Sequence, residues 1–248
     1  MRVRFLAALA CALAAGTVTA SPGVSGGGCG PHGYSYAGLA GASSGYGVAA
    51  NLSAVGQPLV QRGHVAAWVG VGGPGEGPNG TDEWLQAGMN RVVGSSSKLY
   101  YEIARPGLSV RYVELAADVR AGARHDIAVL EMSSKPGVWR VWLDGRAASP
   151  PLYLRGSHAR LSPMAIAENW DAGTPACNRY EYSFRHVAVA AGPGGSWHSF
   201  AGAQLMQDPG YRVTRGPDGG FVAASSLPLR PTKSVPAARS KVPALRPG

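Results

Sequence analysis

The segment His64–Glu102 reads HVAAWVGVGGPGEGPNGTDEWLQAGMNRVVGSSSKLYYE. It contains three apolar, β-favouring runs, at His64–Val71, Glu83–Val93 and Lys98–Ile103, and glycine-rich turns separate them. Short apolar runs bounded by turn residues are typical of β-strands. The segment therefore predicts three neighbouring strands of an antiparallel sheet.

Two polar side chains interrupt these apolar runs. Gln86 lies within the run Glu83–Val93, and Glu102 ends an aromatic run after Tyr100 and Tyr101. A polar group that is buried without a partner costs free energy. We therefore expect the sheet to line a groove in which these two side chains find partners.

The rest of the chain continues the β pattern. Further strands are predicted at Val110–Val119, His125–Met132, Trp139–Asp144, Leu152–Leu154, Pro163–Trp170 and Tyr180–Ala188, with a final hairpin at Gly210–Ser225. The 36 Gly and 19 Pro among 248 residues favour many tight turns. About nine or ten short strands with little helix predict an all-β fold, either a two-sheet sandwich or a barrel.

Residues 1–20 have the features of a secretory signal peptide. Arg2 and Arg4 precede the apolar segment Phe5–Ala15, and small residues up to Ala20 provide a cleavage site. The apolar segment is too short to span a bilayer, and no later run is long enough. The sequence predicts a secreted protein, extracellular or periplasmic, without a membrane span.

Three further parts of the chain are expected after the signal. Residues 21–47 are rich in Gly and Ser and are predicted to be an extended N-terminal segment, followed by a sandwich domain at residues 48–225. Residues 226–248 interleave prolines with basic residues, which is typical of disorder. Cys29 and Cys177 remain after cleavage, and an even count in an exported chain favours one disulfide over the alternative of two free thiols.

The formal net charge is +9, but most of the excess lies outside the predicted domain. Two basic residues fall in the predicted signal and five fall in the tail, which carries no acidic residue. A nucleic-acid-binding protein is expected to carry its positive charge on the folded domain. The charge distribution therefore argues against nucleic acid as a partner.

Glu168 is a second candidate for chemistry beside Gln86. Alternation along its strand places Ile166, Glu168 and Trp170 on one face. A carboxylate flanked by large apolar side chains suits general acid–base catalysis, and an amide such as that of Gln86 can donate to a developing oxyanion. A water molecule between the two groups is enough for acyl hydrolysis. Hydrogen-bonded structural residues of a sandwich are the alternative interpretation.

Four segments together resemble the glutamic peptidases, or eqolisins, which are secreted acid endopeptidases. Ala67–Gly73 and Leu85–Gly88 resemble the family's Trp-Val-Gly-Ile-Asp-Gly and Leu-Gln-Thr-Gly strings, and Tyr100–Glu102 resembles its Trp-Tyr-Glu. Ile166–Trp170 occupies the place of the family's catalytic Glu-Asp-aromatic segment. Order and spacing agree over about His64–Ala190. The resemblance implies a concanavalin A-like jelly roll, which is a two-sheet antiparallel β-sandwich.

The resemblance also implies roles for individual residues. Glu168 is expected to activate water and then to protonate the leaving amine, while Gln86 positions the water and stabilises the oxyanion. The expected substrate-binding residues of the groove are Trp68, Tyr100, Glu102 and Trp170. The resemblance implies a polypeptide substrate and neither metal nor cofactor, and we expect a monomer.

Two residues depart from the family pattern. Gly72 stands where the family has an aspartate, and Tyr100 stands where it has a tryptophan. The first departure removes a polar contact near the expected catalytic pair, which bears on specificity and on catalysis itself.

Other classes of enzyme have less support. A laminarinase-like glycosidase needs a Glu-x-Asp-x-x-Glu string, which the sequence lacks. The histidines show no metal-ligand spacing, and a serine triad has no credible nucleophile. Two alternatives stay open: a plain envelope protein whose aromatic residues all belong to the core, and a non-catalytic concanavalin A-like module that binds glycan or peptide in the same groove. Its aromatic platform is expected to comprise Trp68, Trp84, Tyr100, Tyr101 and Trp170.

Overall fold

The computed structural model describes residues 33–174, 176–216 and 218–226. The predicted signal peptide, Cys29 and nearly all of the predicted C-terminal tail lie outside the described residues. The predictions made for them therefore stay predictions.

Sixteen strands make up most of the described chain. The first eight are β1 (Tyr34–Ala40), β2 (Gly47–Ala54), β3 (His64–Gly73), β4 (Glu83–Val92), β5 (Ser97–Ala104), β6 (Arg111–Ala116), β7 (His125–Glu131) and β8 (Val138–Leu143). The last eight are β9 (Arg146–Ala147), β10 (Leu152–Tyr153), β11 (Pro163–Trp170), β12 (Glu181–Ala190), β13 (Trp197–Ser199), β14 (Gln204–Gln207), β15 (Tyr211–Arg215) and β16 (Phe221–Ser225). Within the described residues the single helical element is a 3-10 turn at Pro78–Gly80, so the all-β prediction is confirmed.

The strands form two antiparallel sheets. The front sheet has the order β14-β1-β11-β3-β4-β5-β6. The back sheet has the order β10-β8-β7-β2-β12-β16-β15, with β13 paired to β12 and β9 paired to β8. The two sheets pack around one large apolar core, which confirms the predicted two-sheet sandwich.

Alternation along the front strands separates the core from the outer face. In β4, Leu85 and Met89 are buried in the core between the sheets, as Leu99 and Ile103 are in β5. Successive strand residues point to opposite faces. Gln86 and its even-numbered neighbours therefore face outward, away from the back sheet.

The back sheet supplies most of the aromatic side chains of the core. Trp139 is fully buried, and Phe184 stacks on Phe221 with ring centroids 4.3 Å apart. These two phenylalanines are direct cross-strand partners in β12 and β16, and aromatic pairs of this kind stabilise a sheet. The back sheet thus supports the front sheet as a rigid platform.

The sandwich begins earlier than the sequence predicts. Residues 21–47 were expected to precede the domain, but β1 lies inside the front sheet between β11 and β14. Its core-facing residues Ala37 and Leu39 are buried. The strand is short and its surroundings are rich in glycine, so the composition of this segment does not indicate a strand.

Two hairpins lie in the back sheet, and one of them is the predicted final hairpin. Asp144 and Gly145 have φ values of 50° and 75° and connect β8 to β9. Two successive residues with positive φ are typical of the tight turns that suit β-hairpins. The final hairpin pairs β15 with β16, within the predicted range of residues 210–225.

Candidate active site

A groove of about 700 Å³ crosses the outer face of the front sheet. Its lining is rich in aromatic and polar side chains: Tyr34, Tyr36, His64, Trp68, Trp84, Gln86, Asn90, Lys98, Tyr100, Glu102, Tyr112 and Glu168. Five of the six residues that the sequence predicted for catalysis and substrate binding are among them. A concave, largely apolar site with a few polar groups is typical of ligand binding.

Strand pairing fixes the positions of the two predicted catalytic residues. Gln86 in β4 lies opposite Glu102 in β5, and Glu168 in β11 lies opposite Ala66 in β3. Residues that lie opposite one another on adjacent strands form rows across the sheet. The row that contains Trp68 and Gly88 lies between the row of Gln86 and the row of Glu168. Gln86 and Glu168 therefore lie on either side of a central row.

Gly88 leaves the middle of the groove floor open. A Cβ atom at this position would lie 2.0 Å from the carbonyl oxygen of Ala67, so only glycine fits the close approach of β3 and β4. Gly88 also pairs with Tyr100 in β5. The space above Gly88 separates Trp68 from Tyr100 and joins the two sides of the groove.

Glu168 is held at both carboxylate oxygens. His64 Nε2 lies 2.8 Å from Oε1, and Trp68 Nε1 donates a hydrogen bond to Oε2 at 3.2 Å. The residue is only 7% exposed. The carboxylate is thus fixed in one orientation while it still lines the groove.

His64 is the main site residue that the sequence analysis missed. Its ring lies 5.4 Å from that of Trp170 and 6.3 Å from that of Tyr34, measured between centroids. Metal-ligand spacing among the histidines says nothing about pairing with a carboxylate. Period-two spacing from Trp68 was the available signal, because it places His64 on the same face.

The amide of Gln86 is oriented by a buried phenol. Gln86 Nε2 donates a hydrogen bond to the Tyr100 hydroxyl at 3.2 Å. Burial raises the pKa of Tyr100 well above its usual value, with further raising by Glu168 and Glu102. The phenol therefore stays neutral, and its own O–H remains a hydrogen-bond donor.

Glu102 forms the second acidic group of the groove. Its Oε1 accepts a hydrogen bond from Trp84 Nε1 at 3.1 Å. Burial raises the pKa of the Glu102 carboxyl, as does the charge of Glu168, while Trp84 and His64 lower it. The nearby charge of Glu168 thus disfavours the ionised form of Glu102.

Two aromatic residues are not where the sequence analysis placed them. Trp170, predicted to bind substrate, does not line the groove and instead stacks on Tyr34 with centroids 5.9 Å apart. Tyr101 was expected in the aromatic platform, but it points into the core between the sheets and is 2% exposed. Neighbouring residues of one strand face opposite sides, so Tyr100 and Tyr101 cannot share the groove.

The backbone explains the glycine at position 72. Gly72 has a φ of 79°, a conformation that favours glycine over all other residues. A Cβ atom there would lie 2.3 Å from the carbonyl oxygen of Glu83. An aspartate is therefore strained at this point of β3, whatever its effect on chemistry.

The loop before β12 carries the predicted half-cystine Cys177. Its backbone N–H donates to Gln61 Oε1 at 3.0 Å, and the neighbouring Asn178 donates to Asn169 Oδ1 at 2.8 Å. The predicted partner Cys29 lies outside the described residues, so the disulfide stays a prediction. The loop itself is anchored to β11, the strand that carries Glu168.

The two-sheet sandwich defines the protein as a concanavalin A-like β-sandwich, and comparison with solved structures supports this class. Scytalido-glutamic peptidase bound to a peptide-based transition state analog matches with a TM-score of 0.56 and 17% identity. The match covers 79% of this chain and 98% of that chain. SCP-B, a member of the eqolisin family in complex with the tripeptide Ala-Ile-His, matches with a TM-score of 0.52 and 16% identity over the same shares.

These likenesses show the fold that the chain shares with glutamic peptidases. No protein-family model matches the sequence, and no curated protein matches it either. Among the residues that the structure describes, no helix has the length and apolar character needed to cross a membrane.

Proposed function

We propose that the protein is a secreted endopeptidase in which Glu168 and Gln86 hydrolyse peptide bonds. The observation that carries this proposal is the placement of both side chains in one aromatic groove on the sandwich face. The shared fold with two peptidases supports it. The substrate is an extended polypeptide lying across the front sheet.

Glu168 acts as the general base in the first step. It takes a proton from a water molecule, and the resulting hydroxide forms a bond to the carbonyl carbon of the peptide. The carbonyl oxygen becomes an oxyanion. The hydrogen bonds from His64 and Trp68 hold Glu168 in place but leave a lone pair on each oxygen for this proton.

Gln86 stabilises the oxyanion. Its amide nitrogen has two N–H groups, and only one is needed for the hydrogen bond to Tyr100. The other donates to the oxyanion. Removal of a single donor of this kind typically costs about 10²–10³ in kcat.

Glu168 then acts as the general acid. It returns its proton to the amide nitrogen as the carbon–nitrogen bond breaks, so the amine leaves neutral and the carboxylate is regenerated. Proton transfer by a positioned side chain typically contributes about 10²–10⁴ in rate.

The proposed layout of the chain agrees with this activity. We propose that residues 1–20 direct export and are cleaved near Ala20, that Cys29 pairs with Cys177, and that the basic tail after Ser226 is not part of the catalytic unit. The groove is formed by strands of one chain, so the proposed peptidase needs no second subunit and acts as a monomer.

Peptide cleavage tests the proposal directly. The purified chain is incubated with a mixed-sequence peptide library from about pH 2 to pH 7, the range in which glutamate carboxyls titrate, and the products are identified by mass spectrometry. Glu168→Gln and Gln86→Ala should each abolish or nearly abolish turnover while the β-rich circular dichroism is retained. Glu114→Gln is the matched control, because Glu114 is exposed and pairs with Lys98 outside the proposed chemistry.

A second candidate function is a non-catalytic module that binds glycan or peptide. The supporting observation is the exposure of Tyr34 (52%) and Tyr112 (43%) beside the groove, since exposed aromatic rings suit sugar faces. This function predicts binding on a glycan array, no peptide product at any pH, and weaker affinity in Glu168→Gln. Acid cleavage that disappears in Glu168→Gln excludes it.

A further inference from the structure

We propose that His64 is a positioning residue for Glu168, which keeps the carboxylate in the orientation that hydrolysis requires. The inference rests on the proposed peptidase function and adds a residue to it. It is carried by the 2.8 Å hydrogen bond between His64 Nε2 and Glu168 Oε1.

The contact joins distant parts of the chain at one point of the sheet. His64 lies opposite Trp170 at the start of β3, and Glu168 lies opposite Ala66 two residues further along. The small side chain of Ala66 leaves room for the imidazole to reach diagonally across to Glu168. The pairing of β3 with β11 therefore brings together residues 104 positions apart.

The imidazole is itself held in place. The ring of Trp170 lies 5.4 Å away and that of Tyr34 lies 6.3 Å away, and Trp170 and Tyr34 also stack on each other. The side chains of His64 and Glu168 are 22% and 9% exposed. A partly buried pair with packed neighbours keeps a fixed geometry, unlike an exposed surface pair.

The two oxygens of the Glu168 carboxylate have different partners, His64 at one and Trp68 at the other. Trp68 Nε1 binds Oε2 of the same carboxylate. With one donor on each oxygen, the plane of the carboxylate cannot rotate about its terminal bond. Misplacement of a catalytic group by about 1 Å can cost a hundredfold in rate, so this restraint matters for catalysis.

Among the described residues, the other titratable groups that face Glu168 make no hydrogen bond with its carboxylate. Glu102 in β5 is acidic, and the groove tyrosines of β1, β5 and β6 (Tyr34, Tyr36, Tyr100 and Tyr112) are neutral below alkaline pH because burial raises their pKa values. Lys98 in β5 pairs with Glu114 at 2.6 Å. Among the described groove residues, His64 is thus the basic side chain that contacts the Glu168 carboxylate.

Steady-state kinetics of His64→Ala and His64→Gln test the role. His64→Ala should lower kcat about ten- to hundredfold with KM changed less than about twofold, because an orienting contact acts on the reacting carboxylate rather than on substrate binding. His64→Gln should recover most of kcat, because a glutamine amide can donate to the same oxygen. The selective effect on kcat, together with this rescue, distinguishes an orienting contact from a merely structural one.

His125→Gln is the matched control. His125 Nδ1 pairs with Asp144 Oδ2 at 2.9 Å in the back sheet, away from the groove. Its loss should leave kcat and KM unchanged. A merely structural role of His64 would lower stability without a selective change in kcat.

Nitrogen NMR of the imidazole rings tests the contact without any activity. Glu168→Gln should shift the His64 ring signals and leave those of His125 in place. Wild-type cleavage combined with a normal kcat in His64→Ala overturns the inference and leaves the peptidase function intact. Unshifted His64 signals also overturn it. A wild-type chain that cleaves no peptide overturns the peptidase function and the positioning role together.

Discussion

The hydroxyl of Tyr100 accepts a hydrogen bond from the amide of Gln86 at 3.2 Å, and these two residues lie on adjacent front strands. The amide that the sequence predicts to be catalytic is therefore held by Tyr100, one of the two residues that depart from the glutamic peptidase pattern. A phenol at this position supplies an acceptor that an indole lacks.

Tyr100→Phe should lower kcat about tenfold and change KM little, because the amide of Gln86 loses its orienting partner. The fold should survive, since the aromatic ring at position 100 stays buried against Tyr112, whose ring centroid lies 5.2 Å from that of Tyr100. Steady-state kinetics and thermal unfolding measure the two effects. Tyr112→Phe is the control, and an equal loss of kcat in both variants would contradict a specific role for Tyr100.

Gly72→Asp should destabilise the protein rather than improve it as an enzyme. Its φ of 79° and the close carbonyl oxygen of Glu83 together predict a loss of about 1–3 kcal/mol in the free energy of unfolding. Gly75→Asp separates the two causes, because Gly75 has a φ of 77° but nothing within 4 Å of its Cβ position. Urea denaturation should rank Gly72→Asp well below Gly75→Asp. Wild-type stability with higher activity in Gly72→Asp would show that the aspartate fits after all.

Stability should rise as the pH falls toward 4.5, because of buried carboxyl groups. Burial raises the pKa of the Glu83 carboxyl above its usual 4.5. A hydrogen bond from the Arg155 backbone and the charge of Arg160 lower this pKa, but burial outweighs them. The folded chain then binds protons more tightly than the unfolded chain between 4.5 and the raised value. Stability is therefore lost as pH rises through that window.

Glu83→Gln should flatten this dependence, since an amide resembles the protonated carboxyl at every pH. Urea unfolding from about pH 4 to pH 7, where carboxyls titrate, measures the slope in wild type and variant. Glu114→Gln, which changes an exposed residue, should keep the wild-type slope. An unchanged slope in Glu83→Gln would mean that other groups cause the dependence.

His158→Ala should reduce stability without changing kcat or KM. Glu131 is fully buried, and His158 Nδ1 lies 3.0 Å from its Oε1 in the back-sheet half of the sandwich. Removal of His158 leaves the buried Glu131 carboxylate with one partner fewer. The free energy of unfolding should fall by about 1–3 kcal/mol, and not by more, because water reaches the half-exposed site of the histidine. Thermal unfolding beside peptide kinetics separates the two effects. Wild-type stability in this variant would argue that the backbone N–H of Gly137 satisfies Glu131 alone.

The sequence predicted the strands that carry the site because their alternation is strong. β3, β4, β5 and β11 fall within one or two residues of their predicted bounds, and each places its polar residue on the outer face. Five of the six predicted site residues line the groove for this reason. Local pattern decides which face a strand residue occupies.

Other features of the site depend on the pairing of strands that are distant in the sequence, which local patterns do not predict. The contact of His64 with Glu168 depends on the register of β3 with β11, which no local pattern specifies. Tyr34 and Tyr36 lie in β1, which the Gly/Ser-rich composition of residues 21–47 assigns to the N-terminal segment instead of the sandwich. Trp170 shares the face of Glu168, but it lies at the strand end, stacks on Tyr34 and does not line the groove.

The position of β1 determines where the chain can be shortened. β1 pairs with all but one residue of β11 on one side and with β14 on the other. A protein that started at residue 48 would leave the Glu168 strand as a long unpaired sheet edge. Such edges recruit strands from other molecules. Shortening at this boundary would therefore produce aggregates instead of a minimal catalytic domain.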